Sequence, residues 1–581
     1  MRVVLVSGGV ISGIGKGIIA SSAGLLLKTS GLKVTAIKID PYLNVDAGTL
    51  GPLEHGECFV LADGGECDLD LGNYERYLGI TLTSDNNITT GKIYQSVIAR
   101  ERKGDYLGRT VQVVPHITDA IQEWITRVAQ IPVDDSGDAP DVCIIELGGT
   151  VGDIESAPFV EALVQLRHKL TKDPNSSFFN IHVSYVPLIH GEEKTKPTQH
   201  AIKTMRSAGL IPDLIACRCD ASLDDATVRK IASSCQVDYE QVLGVHDMET
   251  IYQVPLLLHD EGLLQQLLKK LGLDKLTLQP AQVSKGQALW ELWKKTVVSP
   301  KDMPQVTIAL VGKYTSLMDS YLSLVKALEH SAMRCKRKLN LVPVDSEQLD
   351  EDAKEKNPTA YEKAWSIVKA ADGVVCPGGF GLRGIEGMVD AARYCREESK
   401  PYLGICLGMQ VATIEAARTF LHIEGATSEE FKPHESPEKF AVVFMPEGSK
   451  EVMGGTMRLG TRGSYFQPGS DWSKLKALYG GGDEIHERHR HRYEVNPDLV
   501  DKLEEAGLHF VAKDETGRRM EVCELKNHPY YVGLQAHPEY TSKVTHASEP
   551  FLGLVAASAG ILDNILEEVK QQKQVNGVAH F

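Results

Sequence analysis

Cys406 lies in the run Leu403-Gly404-Ile405-Cys406-Leu407-Gly408-Met409-Gln410, and His537-Pro538-Glu539 follows later in the chain. The first run is Gly-x-Cys-x-Gly, the thiol counterpart of the strained strand-to-helix turn that pushes a nucleophile into the open. Small residues on both sides let the backbone turn tightly and let a substrate carbonyl approach. The second run supplies a base, His537, and a carboxylate to orient it, Glu539. At positions i and i+2 these two share a side if the backbone is extended. Pro377-Gly378-Gly379-Phe380-Gly381 follows the apolar run Gly373–Val375. Backbone N–H groups there, at Gly379 in particular, could hold a tetrahedral oxyanion, with Leu407 N–H as the second donor. Together these runs describe covalent thiol chemistry on an acyl group. The commonest fate of a cysteine is a buried core position, which is the expectation for Cys143, Cys217, Cys219, Cys235, Cys335, Cys376, Cys395 and Cys523. Flanking glycines set Cys406 apart.

A second chemistry stands near the N-terminus. Gly8-Gly9-Val10-Ile11-Ser12-Gly13-Ile14-Gly15-Lys16-Gly17 follows a β-branched run and precedes the helical pattern Ile18–Lys28. Backbone N–H groups of such a loop cradle phosphate oxygens, and a lysine adds a point charge. The alternative is a tight turn with an incidental lysine. A phosphate loop of the common type carries Ser or Thr after its lysine, to hold magnesium; here the position is Gly17, so the metal is expected on carboxylates elsewhere. Asp68 and Asp70 would face one side of an extended segment, and Glu146 ends the apolar run Val142–Ile145, where ligands of α/β sheets bind. Lys38 lies inside an apolar run, either at a phosphate or snorkelling to solvent. In Lys194-Thr195-Lys196-Pro197-Thr198-Gln199, Pro197 biases Lys196 towards extended geometry, so both lysines can point at one phosphate chain.

These groups need a scaffold. At 581 residues the chain is too long for one core. Val3–Val6, Val34–Ile39, Val142–Ile145 and Ile181–Val186 are short, β-branched and flanked by Gly, Asp or Pro, the pattern of buried parallel strands. Alternation restarts at Val306–Val311 and continues through Gly373–Val375, the run before Cys406, Leu508–Ala512 and Val532–Gln535. The fold class expected is α/β, with two doubly wound domains, over 1–280 and 304–568. Residues 281–303 read as a linker carrying a short helix, and 569–581 as a disordered tail. No apolar run approaches the roughly 20 residues that span a bilayer, and the N-terminal run reads as a buried strand rather than a signal peptide. The formal net charge of −16 speaks against non-specific nucleic-acid binding. The 11 cysteines show no paired metal or disulfide spacing, so a reducing, cytoplasmic setting is expected.

With these motifs in place, the chain resembles the CTP synthase family over nearly its whole length. The resemblance is carried by Lys38-Ile39-Asp40-Pro41-Tyr42, Glu54-His55-Gly56-Glu57, the Asp68–Arg76 run, the Glu146–Ser156 run, Lys194–Gln199 and Glu487-Arg488-His489-Arg490-His491-Arg492-Tyr493-Glu494. The C-terminal part is similar to class I glutamine amidotransferases in general, and the N-terminal part to a P-loop-like amidoligase. The resemblance implies ATP on Gly13, Ile14, Gly15, Lys16, Gly17 and Ile18, with Lys38 and Asp70 beside it, and Mg2+ on Asp70 and Glu146. UTP would meet Ser12, the Lys194, Thr195, Lys196, Pro197, Thr198, Gln199 run and Lys230, and inhibitory CTP an overlapping pocket with Asp153, Ile154 and Glu155. Glutamine would be held by Gly378, Phe380, Leu407, Gly408, Met409, Gln410, Glu430 and Arg492 beside the triad Cys406, His537 and Glu539. GTP would activate near Arg383, and His55 would line the exit of a sheltered ammonia passage. A homotetramer that can stack into filaments is also implied.

In such a ligase ATP phosphorylates O4 of the uracil ring, a poor leaving group, and ammonia released from glutamine displaces the phosphate. Two other readings compete: a regulatory nucleotide-binding scaffold, which would not need Cys406, and an amidotransferase serving another acceptor. The chain departs from the family pattern at Cys58 and Cys67, where many relatives carry a non-thiol residue, at Ala536, where an aromatic is usual, and at Tyr540, where Phe is common. These imply altered packing near the triad rather than lost activity.

Overall fold

The computed structural model describes residues 1–134, 136–298, 301–446 and 456–576. The chain forms two compact units. One comprises Met1–Ala47 with Asp70–Ser299, the other Gly48–Leu69 with Pro300–Phe581.

The first unit is built on a seven-stranded sheet. Its strands run in the order Val242–Val245, Leu214–Arg218, Ser177–Tyr185, Arg2–Gly8, Val142–Leu147, Val34–Asp40, Asn87–Thr89, every neighbour parallel. Val3 to Val6 are wholly buried, as a central strand covered on both faces requires. The helix Lys16–Thr29 follows the first strand through the glycine-rich loop. Functional side chains then gather where the carboxyl ends of Arg2–Gly8, Val34–Asp40 and Val142–Leu147 lie side by side.

Two expectations about the first 300 residues change. The stretch read as a linker is mostly a helix, Pro280–Thr296, and it belongs to the first unit. Trp293 anchors it: the indole is buried, donates to Tyr252 O at 2.9 Å, and packs 5.3 Å from the Tyr77 ring. Only Gly286 and Trp293 of the helix are buried, so its apolar stripe is too narrow to show as periodicity. Asp68 and Asp70 also do not share an extended face. Asp68 ends the short strand Glu66–Asp68, whereas Asp70 opens the helix Asp70–Leu78, whose residues from Leu71 onward are all buried.

The second unit has a nine-stranded sheet. Lys338–Asp345, Gln305–Gly312, Gly373–Cys376, Tyr402–Ile405 and Tyr531–Leu534 are parallel neighbours. Met520–Leu525, Leu508–Lys513, Arg458–Phe466 and Glu484–His491 extend it antiparallel. The hairpin Cys58–Val60 with Glu66–Asp68 packs in this unit too, far from its place in the chain. The helix Leu562–Asn576 continues through most of the stretch expected to be a disordered tail; the expectation for 577–581 lies outside the described residues. Among the described residues no helix is long and apolar enough to cross a membrane.

Candidate active sites

In the first unit the loop after Arg2–Gly8 runs through Gly13 and Gly15, both with left-handed φ (72° and 90°). Gly15 is the residue before the helix, so the loop delivers the helix N-terminus and its free N–H groups to the site. Lys16 is buried and donates to Gly149 O at 2.6 Å. Burial lowers its pKa, with Glu146 pulling the other way and Lys38 adding to the fall. Lys38, also buried, pairs with Asp70, with Asp40 at 3.3 Å and with Glu146 at 3.8 Å. Tyr74 donates to Glu146. Burial pushes the Glu146 carboxyl up to about 7, against the pull of Lys38. Asp70 and Glu146 therefore converge beside the helix start with a deficit of positive charge, the setting in which a cation or the phosphate-bound metal of a nucleotide is stabilised. Among the described residues no group of three His, Cys, Asp or Glu side chains could hold a metal alone. A metal on Asp70 and Glu146 would thus complete its shell with phosphate and water oxygens, as Mg2+ commonly does.

Next to Lys16 opens a pocket lined by Ile14, Gly15, Ile18, Val183, Arg218 and the segment His246-Asp247-Met248. Sequence reading missed this segment. Its signal was position: it directly follows the strand Val242–Val245 at the carboxyl end. Tyr74 was missed as well, though it lies one helical turn after Asp70 and so on the same face.

The run Lys194–Gln199 is not the extended pair expected. Lys196 is the first residue of the helix Lys196–Ser207, with Pro197 in its first turn, where a proline is pre-organised. Lys194 pairs with Glu192, and Lys230 also lies near enough to that carboxylate to help hold it below its usual range. Thr195 accepts from Gln199 Nε2 at 3.1 Å, and Thr198 is buried against Ser184 at 3.0 Å. Ser12, Asp153, Ile154 and Glu155 are exposed, with Ile154 at 84%. Asp153 closes a turn by accepting from Thr150 N.

In the second unit Cys406 stands between the strand Tyr402–Ile405 and the helix Leu407–Thr419, at φ 51°, ψ −100°. A left-handed φ at a non-glycine residue costs of the order of 1–3 kcal/mol and is held only where the surroundings enforce it. Here the Cys406 N–H donates to Leu534 O at 2.7 Å and the Gly408 carbonyl accepts from Tyr402 Oη at 2.8 Å. Leu407, the first helical residue, has an N–H of the kind that lacks an intrahelical partner.

His537 Nδ1 and Glu539 Oε1 are 2.7 Å apart. The contact is made across the 3-10 turn Pro538–Thr541 rather than along an extended backbone, because Pro538 starts the turn. Burial lowers the imidazole pKa, but Glu539 and the Cys406 sulfur outweigh it and raise it to about 10. A Cβ on Gly378 would sit 2.7 Å from His537 Cε1 and 3.5 Å from Cys406 Cβ. Only glycine lets this loop pass so close to both.

The Pro377–Gly381 loop is gripped from two sides. Lys313 donates to the carbonyls of Phe380 and Gly381, and Glu430 accepts from Gly381 N at 3.0 Å. Burial brings Lys313 down to about 8. It raises Glu430, against Lys313 and Arg492. Lys313 was missed by sequence reading; its signal was a lysine at the carboxyl end of the strand Gln305–Gly312. A pocket runs from Cys406, His537 and Gly378 to Tyr314, Arg490 and Glu57. Arg383 pairs with Asp345 and Glu347. His55 ends the short helix Pro52–His55 with its side chain half exposed, beside Glu54; Pro52 of the same helix lines the pocket.

A thiol at a strained elbow, a His–Glu pair and glycine N–H groups define a glutamine amidotransferase of class I, coupled to a unit with a phosphate loop. Comparisons agree. Residues 316–557 match the family model described as glutamine amidotransferase class-I, and residues 2–273 match that described as CTP synthase N-terminus. A CTP synthase of Gibberella zeae is 67% identical, covering 100% of this chain and 99% of its own. One of Neurospora crassa is 64% identical, with 100% of each chain covered, and CTP synthase 1 of Saccharomyces cerevisiae is 61% identical, with 98% of each covered. The chain belongs to the CTP synthase family. It is an enzyme, a carbon–nitrogen ligase that converts UTP to CTP in dependence on glutamine.

Proposed function

We propose that the first unit activates UTP by transferring the γ-phosphoryl group of ATP to O4, and that the second supplies ammonia from glutamine through Cys406. One observation carries the reading of the second unit: His537, paired with Glu539, lines one pocket with a cysteine held at a strained elbow. In the reaction Cys406 Sγ gives its proton to His537 Nε2 and attacks the amide carbon. Gly379 and Leu407 N–H groups receive the oxyanion. His537 returns the proton to the leaving nitrogen, ammonia departs, and water cleaves the thioester to glutamate. Glu430 and Arg492 bind the amino-acid end, one for each of its charges.

In the first unit Lys16, Lys38 and the helix start bind the phosphates of ATP, and the pocket of Ile14, Ile18 and Val183 takes the base. Asp70 and Glu146 would hold Mg2+, which when bound would supply positive charge to the phosphates of ATP. Ser12, Lys194, Lys196, Gln199 and Lys230 take UTP. Attack of ammonia at C4 then expels phosphate from O4 and leaves the 4-amino group of CTP. CTP inhibits at a pocket including Asp153, Ile154 and Glu155; GTP activates near Arg383 and competes there with the Asp345 and Glu347 carboxylates. The direct test follows ultraviolet absorbance of UTP with Mg-ATP and GTP, given glutamine or ammonia. Product from both nitrogen sources supports the reading, and product from neither refutes it.

A further inference from the structure

Gln535 directly follows the strand Tyr531–Leu534 and is only 1% exposed. None of the roles above uses it. Its Nε2 lies 3.6 Å from Cys406 Sγ, and its Oε1 3.3 Å from Gln410 Nε2. Which end of a side-chain amide is nitrogen is decided by its partners, and here the partners decide it. Gln410 Nε2 also donates to Tyr493 O at 3.0 Å. A backbone carbonyl only accepts, so that end of Gln410 is the NH2 group. Its second hydrogen is directed at Gln535, whose facing atom is therefore the carbonyl oxygen. The NH2 of Gln535 is left to face the sulfur. Its backbone is fixed by a bond from Gln535 N to Glu521 O at 2.9 Å.

The sulfur has a neighbour of the opposite kind. Arg490 O lies 3.8 Å away and can only accept, so it can take the thiol hydrogen but offers the anionic sulfur no donor. A donor is needed if the anionic sulfur is to be stabilised at rest and again when it leaves the thioester. We infer that Gln535 is a further catalytic residue of glutamine hydrolysis, donating an N–H to Cys406 Sγ in its thiolate form. The assignment rests on Cys406 being the nucleophile. Gln535 transfers no proton: the thiol proton goes to His537 Nε2, the sulfur pair forms the C–S bond, and the bond from Gln535 weakens as the sulfur loses charge to the thioester. The Tyr493 carbonyl and Gln410 hold Gln535 in this orientation, so a residue proposed to bind glutamine also sets the donor on the nucleophile.

Other groups line the pocket that holds Cys406. Glu57 and Cys58 come from the inserted hairpin segment and Arg490 from the strand Glu484–His491. His537 and Glu539 come from the turn after Gln535, and Tyr314, Tyr321 and Tyr540 are the further titratable groups of its lining.

The test uses the full chain with three substitutions. Gln535→Met keeps the volume and removes the donor; Gln535→Glu keeps the shape and replaces the donor by a carboxylate oxygen. Gln535→Asn, the mildest, withdraws the donor by one methylene and serves if the others do not fold. The rate of Cys406 alkylation by iodoacetamide, located by peptide mass mapping, is followed against pH. Thermal unfolding reports on the fold. The Met variant is expected to move the profile up by about one pH unit, which is about tenfold slower alkylation on the acid side of the limb. The Glu variant moves it further, the Asn variant in the same direction, and kcat for glutamine falls with it. Folded variants with an unmoved profile overturn the assignment and leave Gln535 as packing. The nucleophile is checked separately: glutamine-driven turnover retained by Cys406→Ala would overturn both readings, whereas its loss beside an unmoved alkylation profile would overturn only this one.

Discussion

Gly17 stands where phosphate loops of the common type carry a hydroxyl, and Gly17→Ala separates folding from phosphate chemistry. The residue is second in the helix Lys16–Thr29, with an ordinary helical backbone. A methyl there would lie 3.0 Å from Asp70 Oδ1 and 3.4 Å from Glu146 Oε2. Replacing glycine by alanine in a helix stabilises by about 0.5–1 kcal/mol. Against that, the Asp70 carboxylate, the far end of a side chain, has to withdraw slightly from its place beside Lys38. The two effects nearly cancel, so unfolding free energy should change by less than about 1 kcal/mol. Phosphate chemistry is less forgiving. Mg2+ demands oxygen ligands at about 2.0–2.1 Å in near-octahedral order, and a misplacement of about 1 Å at a reacting centre can cost about a hundredfold. A shift smaller than that, together with a methyl in the space of a phosphate or water oxygen, should lower turnover by roughly 10- to 100-fold. Two assays decide: denaturant unfolding, and absorbance-monitored CTP formation with ammonia, which bypasses Cys406. Normal stability with undiminished ammonia-driven synthesis would refute the placement of Asp70 and Glu146 at the reacting phosphates. A stability loss of several kcal/mol would refute the packing estimate instead.

Cys406→Ala should abolish glutamine-driven synthesis while ammonia-driven synthesis continues, read in the same absorbance assay; equal loss of both would contradict the division between the units. Glu539→Gln should move the alkaline limb of glutamine hydrolysis to lower pH, because the carboxylate helps hold the His537 imidazole at about 10 rather than 6.5. The sign follows for stability as well: a folded pKa raised above the unfolded value contributes fully below about 6.5 and is lost as pH rises through about 10, so the wild-type advantage over this variant should shrink across that window in denaturant titrations. Trp293→Ala should destabilise the first unit by about 3–5 kcal/mol, the usual cost of deleting a buried tryptophan, and a change under 1 kcal/mol would return the helix Pro280–Thr296 to the status of a linker.

Much of the scaffold was legible because buried parallel strands leave a strong mark. Val3–Val6 is an unbroken aliphatic run and Val142–Ile145 is interrupted only by Cys143, and the strands extend them by three and two residues. Cys406 was legible through its glycines, which record the tight elbow that the φ of 51° makes explicit. Gln535, Lys313 and Tyr74 were not, since each acts through one atom aimed by the fold, and a lone Gln, Lys or Tyr has many ordinary uses. Lys196 and the Asp68–Asp70 pair were misjudged for a related reason. Local rules for extended backbone were applied one residue from a helix start, where the helix wins.

The segment Gly48–Leu69 shows the limit most plainly. Its composition is acidic, with five Asp or Glu and no Lys or Arg, which does not say where it packs, yet it is assigned to the unit that begins at Pro300. The reason lies in partners hundreds of positions away. Glu57 N donates to Asp319 O at 2.8 Å and the Glu57 carboxylate accepts from Ser323 N, at the first turn of the helix Leu322–Arg334. Arg488 Nη1 donates to Val60 O at 3.0 Å, and Arg490 Nε pairs with the buried Glu66 at 2.8 Å. Tyr540 uses its hydroxyl to donate to Cys58 O at 3.0 Å while its ring packs 5.0 Å from Phe59. These are charges and hydroxyls whose burial is tolerable only because each is matched. A buried carboxylate left without its cation typically costs about 3–5 kcal/mol, so Glu66 and Arg490 constrain each other although 424 positions separate them. Hydrophobic periodicity carries no trace of such pairs. The segment's membership of the second unit is encoded in specific polar matches, and those become readable only once the chain has brought the partners together.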